Sequence, residues 1–341
     1  MTISAVTTQS ANAGIERYRE AERRLWGYYG LEPIERFVEI EAPAVRLRVL
    51  EVGSGDPILF VHGTAGPGAW PPLVRELEGF RCLILDRPGW GLSSTVDYSQ
   101  QDYGTLVAEL LEATLEGLGV DRTHIVGASI GNTWALRLAA HRPARVDRLV
   151  LLGGAPLAPE VRVPPFIRLL ATPAGAVIAR IPEKPKMVRA QLRQLGHGAS
   201  VDAGRIPDEF VQWHVAATRE RGAMRHEREM VRAVASPRGF RPGLVFQHAE
   251  LGAIRTPTLY VYGTEDPVAD IEIVESVVGA LPQGELHLAE GAGHVTWLDD
   301  PAAVGGRVRG FLTQPREPLW TRSGRPASAL VRKKYASDAG G

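Results

Sequence analysis

At 341 residues and 44% hydrophobic content, the chain is long enough for one large α/β domain with an insertion and rich enough for a sizeable core. Its 39 basic and 39 acidic residues give a formal net charge of zero, which excludes a whole-protein field for nucleic acid or a membrane surface. A single cysteine, Cys82, excludes an intrachain disulfide and fits a reducing compartment.

The stripe Ile15, Tyr18, Ala21, Leu25 and Tyr29 predicts a helix over 15–30 that docks onto the core. Residues 36–41 and 45–51 alternate as a hairpin with one solvated face. The short apolar runs 57–61 and 82–85 read as strands covered on both faces, with Cys82 a buried hydrophobe and not a reactive thiol. Helices are expected over 70–77 and 102–118. A strand ending at Val126, a tight turn and a helix containing Trp134 follow, then a strand over 148–152. Strands alternating with helices imply a mostly parallel, doubly wound sheet behind an antiparallel start.

From 156 to 253 the alternation breaks. The section is proline-punctuated and mainly helical, with helices expected over 166–171, 186–195, 208–220 and 222–235. It holds 15 Lys/Arg against 9 Asp/Glu. The alternation resumes with a strand over 257–262, a helix over 268–280, a strand over 285–289 and a helix over 302–312. The expected organisation is a helical extension (1–34), a core in two pieces (35–155 and 254–313), an inserted helical section (156–253), and a basic, poorly ordered tail (314–341). Residues 1–14 are polar, and no run approaches the ~18 apolar residues of a spanning helix, so a soluble cytoplasmic protein is expected.

The chemistry concentrates at Gly127-Ala128-Ser129-Ile130-Gly131. Strand, G-x-S-x-G and helix in that order is the context of a nucleophile elbow, in which small flanking residues let the chain fold back and expose the serine hydroxyl. A serine hydroxyl needs a base, and the base an orienting acid. His294, in the loop after strand 285–289, is the candidate base. His287 lies inside that strand, and His197, His214, His226 and His248 fall in the insertion, where solvated or structural roles are expected. Asp266, after strand 257–262, is the candidate acid, with Glu265 the alternative and helix N-capping the plain one. The oxyanion needs two backbone donors. Ile130 N–H is one; the loop 62–68 offers Thr64 N–H as the other, with Ala65 next. His62 reads as a structural loop residue.

Taken together, Phe60–Gly68, Asp86–Ser93, the elbow, Gly263–Pro267 and Gly293-His294 resemble the ordered motifs of the α/β-hydrolase superfamily over about residues 35–155 and 254–313. The resemblance implies the α/β-hydrolase fold, a Ser129–His294–Asp266 triad, and a helical cap made by 156–253. His-Gly-x-x-Gly-Pro-Gly also resembles the oxyanion loop of C–C bond hydrolases acting on vinylogous diketo acids, and of proline iminopeptidases. Val295 departs from the tryptophan expected in the first group. The insertion lacks the acidic cluster that would recognise a free amino terminus. Serine at 129 argues against haloalkane dehalogenase and epoxide hydrolase chemistry, which needs a carboxylate nucleophile.

The expected function is a serine hydrolase cleaving an ester or related acyl bond of a small apolar molecule. The alternatives are a C–C bond hydrolase of a diketo-acid type substrate, a lyase or cyclase using the same triad, and a non-catalytic binding module. This chemistry requires no metal or cofactor. The expected partner is a small-molecule substrate, with no nucleic acid and no membrane, in a monomer or homodimer.

Overall fold

In the computed structural model, described residues run from 3 to 315, apart from 100, 101, 156, 242 and 243. The tail expected from 314 lies, from residue 316, outside them. Helix α1 (Ile3–Tyr28) leads into the hairpin β1 (Ile34–Glu41) and β2 (Ala44–Gly53). Next come β3 (Asp56–Val61), α2 (Pro71–Arg75), β4 (Phe80–Leu85), α3 (Tyr103–Gly117), β5 (Thr123–Ala128), α4 (Ile130–His141) and β6 (Val146–Leu152). The insertion contains α5 (Pro165–Leu170), α6 (Pro173–Ile178), α7 (Pro185–Leu192), α8 (Gly198–Asp202), α9 (Asp208–Glu220) and α10 (Ala223–Val234). It ends with a two-residue-per-strand hairpin, β7 (Ala235–Ser236) and β8 (Gly239–Phe240), and α11 (His248–Ala253). The chain closes with β9 (Thr258–Gly263), α12 (Ile271–Ala280), β10 (Gly284–Ala289), α13 (Thr296–Asp299) and α14 (Pro301–Leu312).

Eight strands form one sheet in the order β1-β2-β4-β3-β5-β6-β9-β10, antiparallel at β1/β2 and β2/β4 and parallel from β4 onward. The expected mostly parallel sheet is the one observed. Because side chains alternate along a strand, each apolar run feeds two cores. Leu59, Ile125, Leu149 and Leu151 pack into one, with α3, α4 and α12. Ile58, Phe60, Val126 and Val150 pack into the other, with α2, α14 and the helices α1 and α9. Cys82 is buried, and burial pushes its thiol up to about 12, as a small hydrophobe requires.

Some boundaries differ from expectation. Helix α1 reaches back to Ile3, beyond the expected start at 15, because nothing in 3–14 interrupts it and a nucleated helix propagates. The expected helix 302–312 is preceded by a separate short helix, α13, since Asp300 adopts an extended conformation and its side chain caps Ala303 N–H.

Helix α1 docks through more than the predicted aromatic stripe. Tyr18 and Leu25 are fully buried, and beside them lies the buried Glu22, which receives hydrogen bonds from both Nη atoms of the fully buried Arg48 on β2 at 2.7 and 2.8 Å. Arg48 Nε donates to Asp86 at 2.6 Å, so one guanidinium joins the helix, the hairpin and the loop after β4. On its other side α1 meets α9, where Tyr18 lies 6.5 Å from Trp213 and Arg17 pairs with Glu220.

Leu149→Ala removes a fully buried side chain from the central strand β6. The expected cost is about 2–5 kcal/mol, read as a lower midpoint in denaturant unfolding with an unchanged slope.

Candidate active site

Every loop that matters leaves the same edge of the sheet, the carboxyl ends of the parallel strands, where α/β proteins gather their sites. Ser129 follows β5 at φ 53°, ψ −125°, the one non-glycine with positive φ among the described residues. A Cβ on Gly127 would lie 2.7 Å from the Gly131 carbonyl oxygen, and one on Gly131 2.0 Å from that of Val61, so both elbow glycines are required by close backbone approach. Ser129 N–H donates to Leu152 O at 3.0 Å, and Asn132 locks the turn to β6 by bonding Leu152 N, Leu152 O and Gly153 O. Ile130 opens α4, so its N–H has no acceptor within the helix.

Asp266, after β9, and His294, after β10, meet on neighbouring strands. Asp266 Oδ2 lies 2.9 Å from His294 Nδ1 and also accepts Gly154 N–H at 2.7 Å, while Oδ1 accepts Val268 N–H at 2.9 Å. Burial pushes the Asp266 carboxyl up, but the adjacent imidazole and the two amides outweigh it and hold it below the usual range. Burial likewise pulls the His294 imidazole down, and the Asp266 charge and hydrogen bond leave it above its ordinary value. Among the described residues, Glu265, the alternative acid, makes no hydrogen bond or ion pair with His294, whose Nδ1 is taken by Asp266. His294 and Ser129 share one cavity wall without a direct hydrogen bond between them among the described residues, an arrangement common before substrate binds.

The cavity beside Ser129 is small and apolar, walled by Ala69, Trp70, Ala128, Val295 and Trp297 with the backbone of Gly63 and Gly66. Among the described residues, no arginine or lysine lines it. Tryptophan is absent at 295, yet Trp297 stands in the same wall, stacked on Trp70 at 4.6 Å. Thr64 occupies the turn closed by Gly66 N–H to Gly63 O, and the adjacent Ala65 lines the cavity where Thr64 does not.

His62 is a structural residue of this loop. It accepts Arg87 N–H through Nε2 at 3.1 Å, so Nδ1 carries the proton and donates to Gly63 O at 2.7 Å. Burial and the Arg87 charge press its pKa well below the ordinary value, which keeps the ring neutral.

The expected residues thus converge: Ser129, Asp266 and His294 on one edge, with Ile130 and the turn holding Thr64 beside them. Trp134 is fully buried, its indole donating to Tyr103 OH at 2.8 Å. Sequence reasoning missed Glu227. This buried carboxylate on α10 accepts from Arg87 Nη2 at 3.0 Å and Trp90 Nε1 at 2.7 Å, and the same Nη2 reaches Gly63 O at 3.2 Å. It therefore connects the insertion to the loop beside Ser129. Its place in a polar helix stretch, Arg225–Glu229, gave no hint that one carboxylate of two turns inward.

The family model described as alpha/beta hydrolase fold matches residues 56–301. The chain belongs to the α/β-hydrolase fold family. Among its relatives, a 2-hydroxy-6-oxononadienedioate/2-hydroxy-6-oxononatrienedioate hydrolase of Cupriavidus pinatubonensis is 26% identical over 81% of this chain and 94% of the relative. One of the same name from Paraburkholderia phymatum is 28% identical over 82% and 96%. Carboxylesterase CesB from Bacillus subtilis shares the fold with a TM-score of 0.66 at 19% identity, over 90% of this chain and 99% of that one. The meta-cleavage product hydrolase CumD from Pseudomonas fluorescens shares it with a TM-score of 0.63 at 19% identity, over 82% and 97%. For this α/β-hydrolase, likeness at such identities establishes the fold alone. Among the described residues, no helix is long and apolar enough to cross a membrane.

Glu227→Ala leaves the buried Arg87 guanidinium without its carboxylate. A loss of about 3–5 kcal/mol in unfolding free energy is expected, and Glu227→Gln, which keeps an acceptor, should lose less.

Proposed function

We propose that this α/β-hydrolase is a serine hydrolase that breaks a carbon–carbon bond next to a ketone in a substrate of the 2-hydroxy-6-oxo-dienoate type, through an acyl-enzyme on Ser129. The observation that carries the mechanism is the His294–Asp266 pair at 2.9 Å beside a serine held at the tip of a strained elbow. The bond class is supported by the relatives, whose names describe that chemistry over about four-fifths of the chain.

In this reading His294 Nε2 takes the Ser129 proton as Oγ adds to the carbonyl carbon, and Asp266 keeps the other ring proton on Nδ1. The amides of Ile130 and Thr64 receive the developing oxyanion. For the bond to break, the 2-hydroxy enol must first become its 2-keto tautomer, with the proton moved to C5. The electron pair of the C5–C6 bond then passes through the C3=C4 alkene into the C2 carbonyl, and the dienolate oxygen takes the proton that His294 received from Ser129. Water, deprotonated by His294, then releases the acid from Ser129. Section 156–253 serves as the cap that covers the site.

A carboxylesterase activity is the second reading. It is favoured by the cavity wall, whose apolar side chains and lack of a cation suit a neutral acyl group better than a dicarboxylate.

The two readings separate in one experiment. A 2-hydroxy-6-oxo-dienoate and a series of p-nitrophenyl esters are offered to the wild type and to Ser129→Ala. Faster turnover of the dienoate supports C–C cleavage; ester turnover alone would replace it with the esterase. Activity on both that survives Ser129→Ala would overturn the acyl-enzyme.

The His294 environment also fixes a pH dependence. The base works only when neutral, so activity should fall as pH drops through a pKa above the ordinary 6.5. Asp266→Asn removes the charge that raises it, so the acid limb of kcat/KM should move to lower pH while kcat falls about 10³- to 10⁴-fold. A limb that stays in place would show that Asp266 does not act on the base.

A further inference from the structure

A second histidine–carboxylate pair lies directly behind His294, and its histidine comes from the insertion. After α7 the chain leaves helical geometry at Leu195 and Gly196, the latter at φ 89°, before α8 begins. A Cβ on Gly196 would lie 2.2 Å from Glu265 O, and one on Gly293 2.5 Å from Leu195 O. The turn is therefore wedged between the loop carrying Asp266 and the loop carrying His294.

Three consecutive amides around the base are taken up here, two of them by the insertion and one by Asp299 on α13. Gly293 N–H donates to Asp299 Oδ2 at 2.8 Å, His294 N–H to Leu195 O at 2.8 Å, and Val295 N–H to His197 Nε2 at 3.1 Å. An amide can only donate, so His197 Nε2 is unprotonated and its Nδ1–H faces Asp299 Oδ2 at 2.7 Å. The His197 side chain is fully buried, and the other Asp299 oxygen accepts the Ser200 hydroxyl, which in turn accepts from Arg205.

We propose that His197 is a positioning residue: it holds the backbone that carries the His294 imidazole and so lets the insertion aim the base at Ser129. The proposal rests on the reading of Ser129 as nucleophile and His294 as base. A ring bonded to Asp266 at one atom still pivots about that bond. Clamping the amides on both sides of its Cα fixes the other end. Since His294 and Ser129 are not yet in hydrogen-bond contact, the loop position decides whether the base reaches the hydroxyl. A contact serving only to glue the insertion down would not need to take the amide of the base itself and the one that follows it.

The test compares His197→Phe with His197→Gln in the full chain, using the best substrate found above. Glutamine can present an oxygen where Nε2 sits; phenylalanine fills the space without an acceptor. Phenylalanine should lower kcat by about 10- to 100-fold with KM within about twofold, and glutamine should recover most of it. Labelling of Ser129 by a fluorophosphonate probe should slow in parallel. Unchanged kcat in His197→Phe, an effect on KM alone, or an equal loss in both variants would overturn the proposal. Should the phenylalanine variant not fold, Asp299→Ala provides the second arm. It removes the acceptor that fixes the His197 tautomer and holds the Gly293 amide, so kcat must fall there too, and an unchanged kcat overturns the proposal. A wild type that the probe never labels at Ser129 would instead remove the nucleophile reading on which the proposal stands.

Discussion

One strained residue organises the molecule. Ser129 sits at a backbone conformation that costs on the order of 1–3 kcal/mol, and it stays there because both sides are overdetermined. Below it, β5 is clamped between β3 and β6 in the middle of the sheet. Above it, Gly131 rests against the backbone after β3, and Asn132 ties the start of α4 to the end of β6. Other site groups are arranged around that fixed point. The acid and the base arrive on β9 and β10, which reach the same edge because they extend the same parallel sheet.

What could be read from the sequence was what local pattern encodes. The apolar runs at 57–61 and 82–85 announced strands covered on two faces because no polar residue interrupts them, and the run after Arg148 announced a further strand. The glycines at 127 and 131 announced a turn in which no side chain fits. Asp266 and His294 were identifiable because each follows a late strand, and the fold leaves few such loops. Chain order carried this information; no contact had to be foreseen.

What escaped was pairing across long separations. Arg48, Glu22 and Asp86 read as ordinary charges on a strand, a helix and a loop, and only their meeting makes a buried guanidinium tolerable. Glu227 stands among arginines in a helix whose charged stretch singles out no inward-facing residue. His197 looked like one histidine among several in the insertion, because the kink that turns it toward Val295 depends on a glycine whose role appears only against the neighbouring loops. In each case the burial of a polar group is decided by its partner, and the partner is far away in the chain.

Helix α1 carries a consequence for how the chain is made. It is synthesised before its seat, which is assembled from later pieces: β2, the loop after β4, and α9, with Arg17 meeting Glu220 across 203 positions. Contacts of such long separation form only after the intervening chain exists. The helix must therefore wait, its apolar stripe and Glu22 facing solvent, until most of the core and more than half of the insertion have been translated. Until α9 arrives, the waiting helix is open to misassociation, and its docking ends that period.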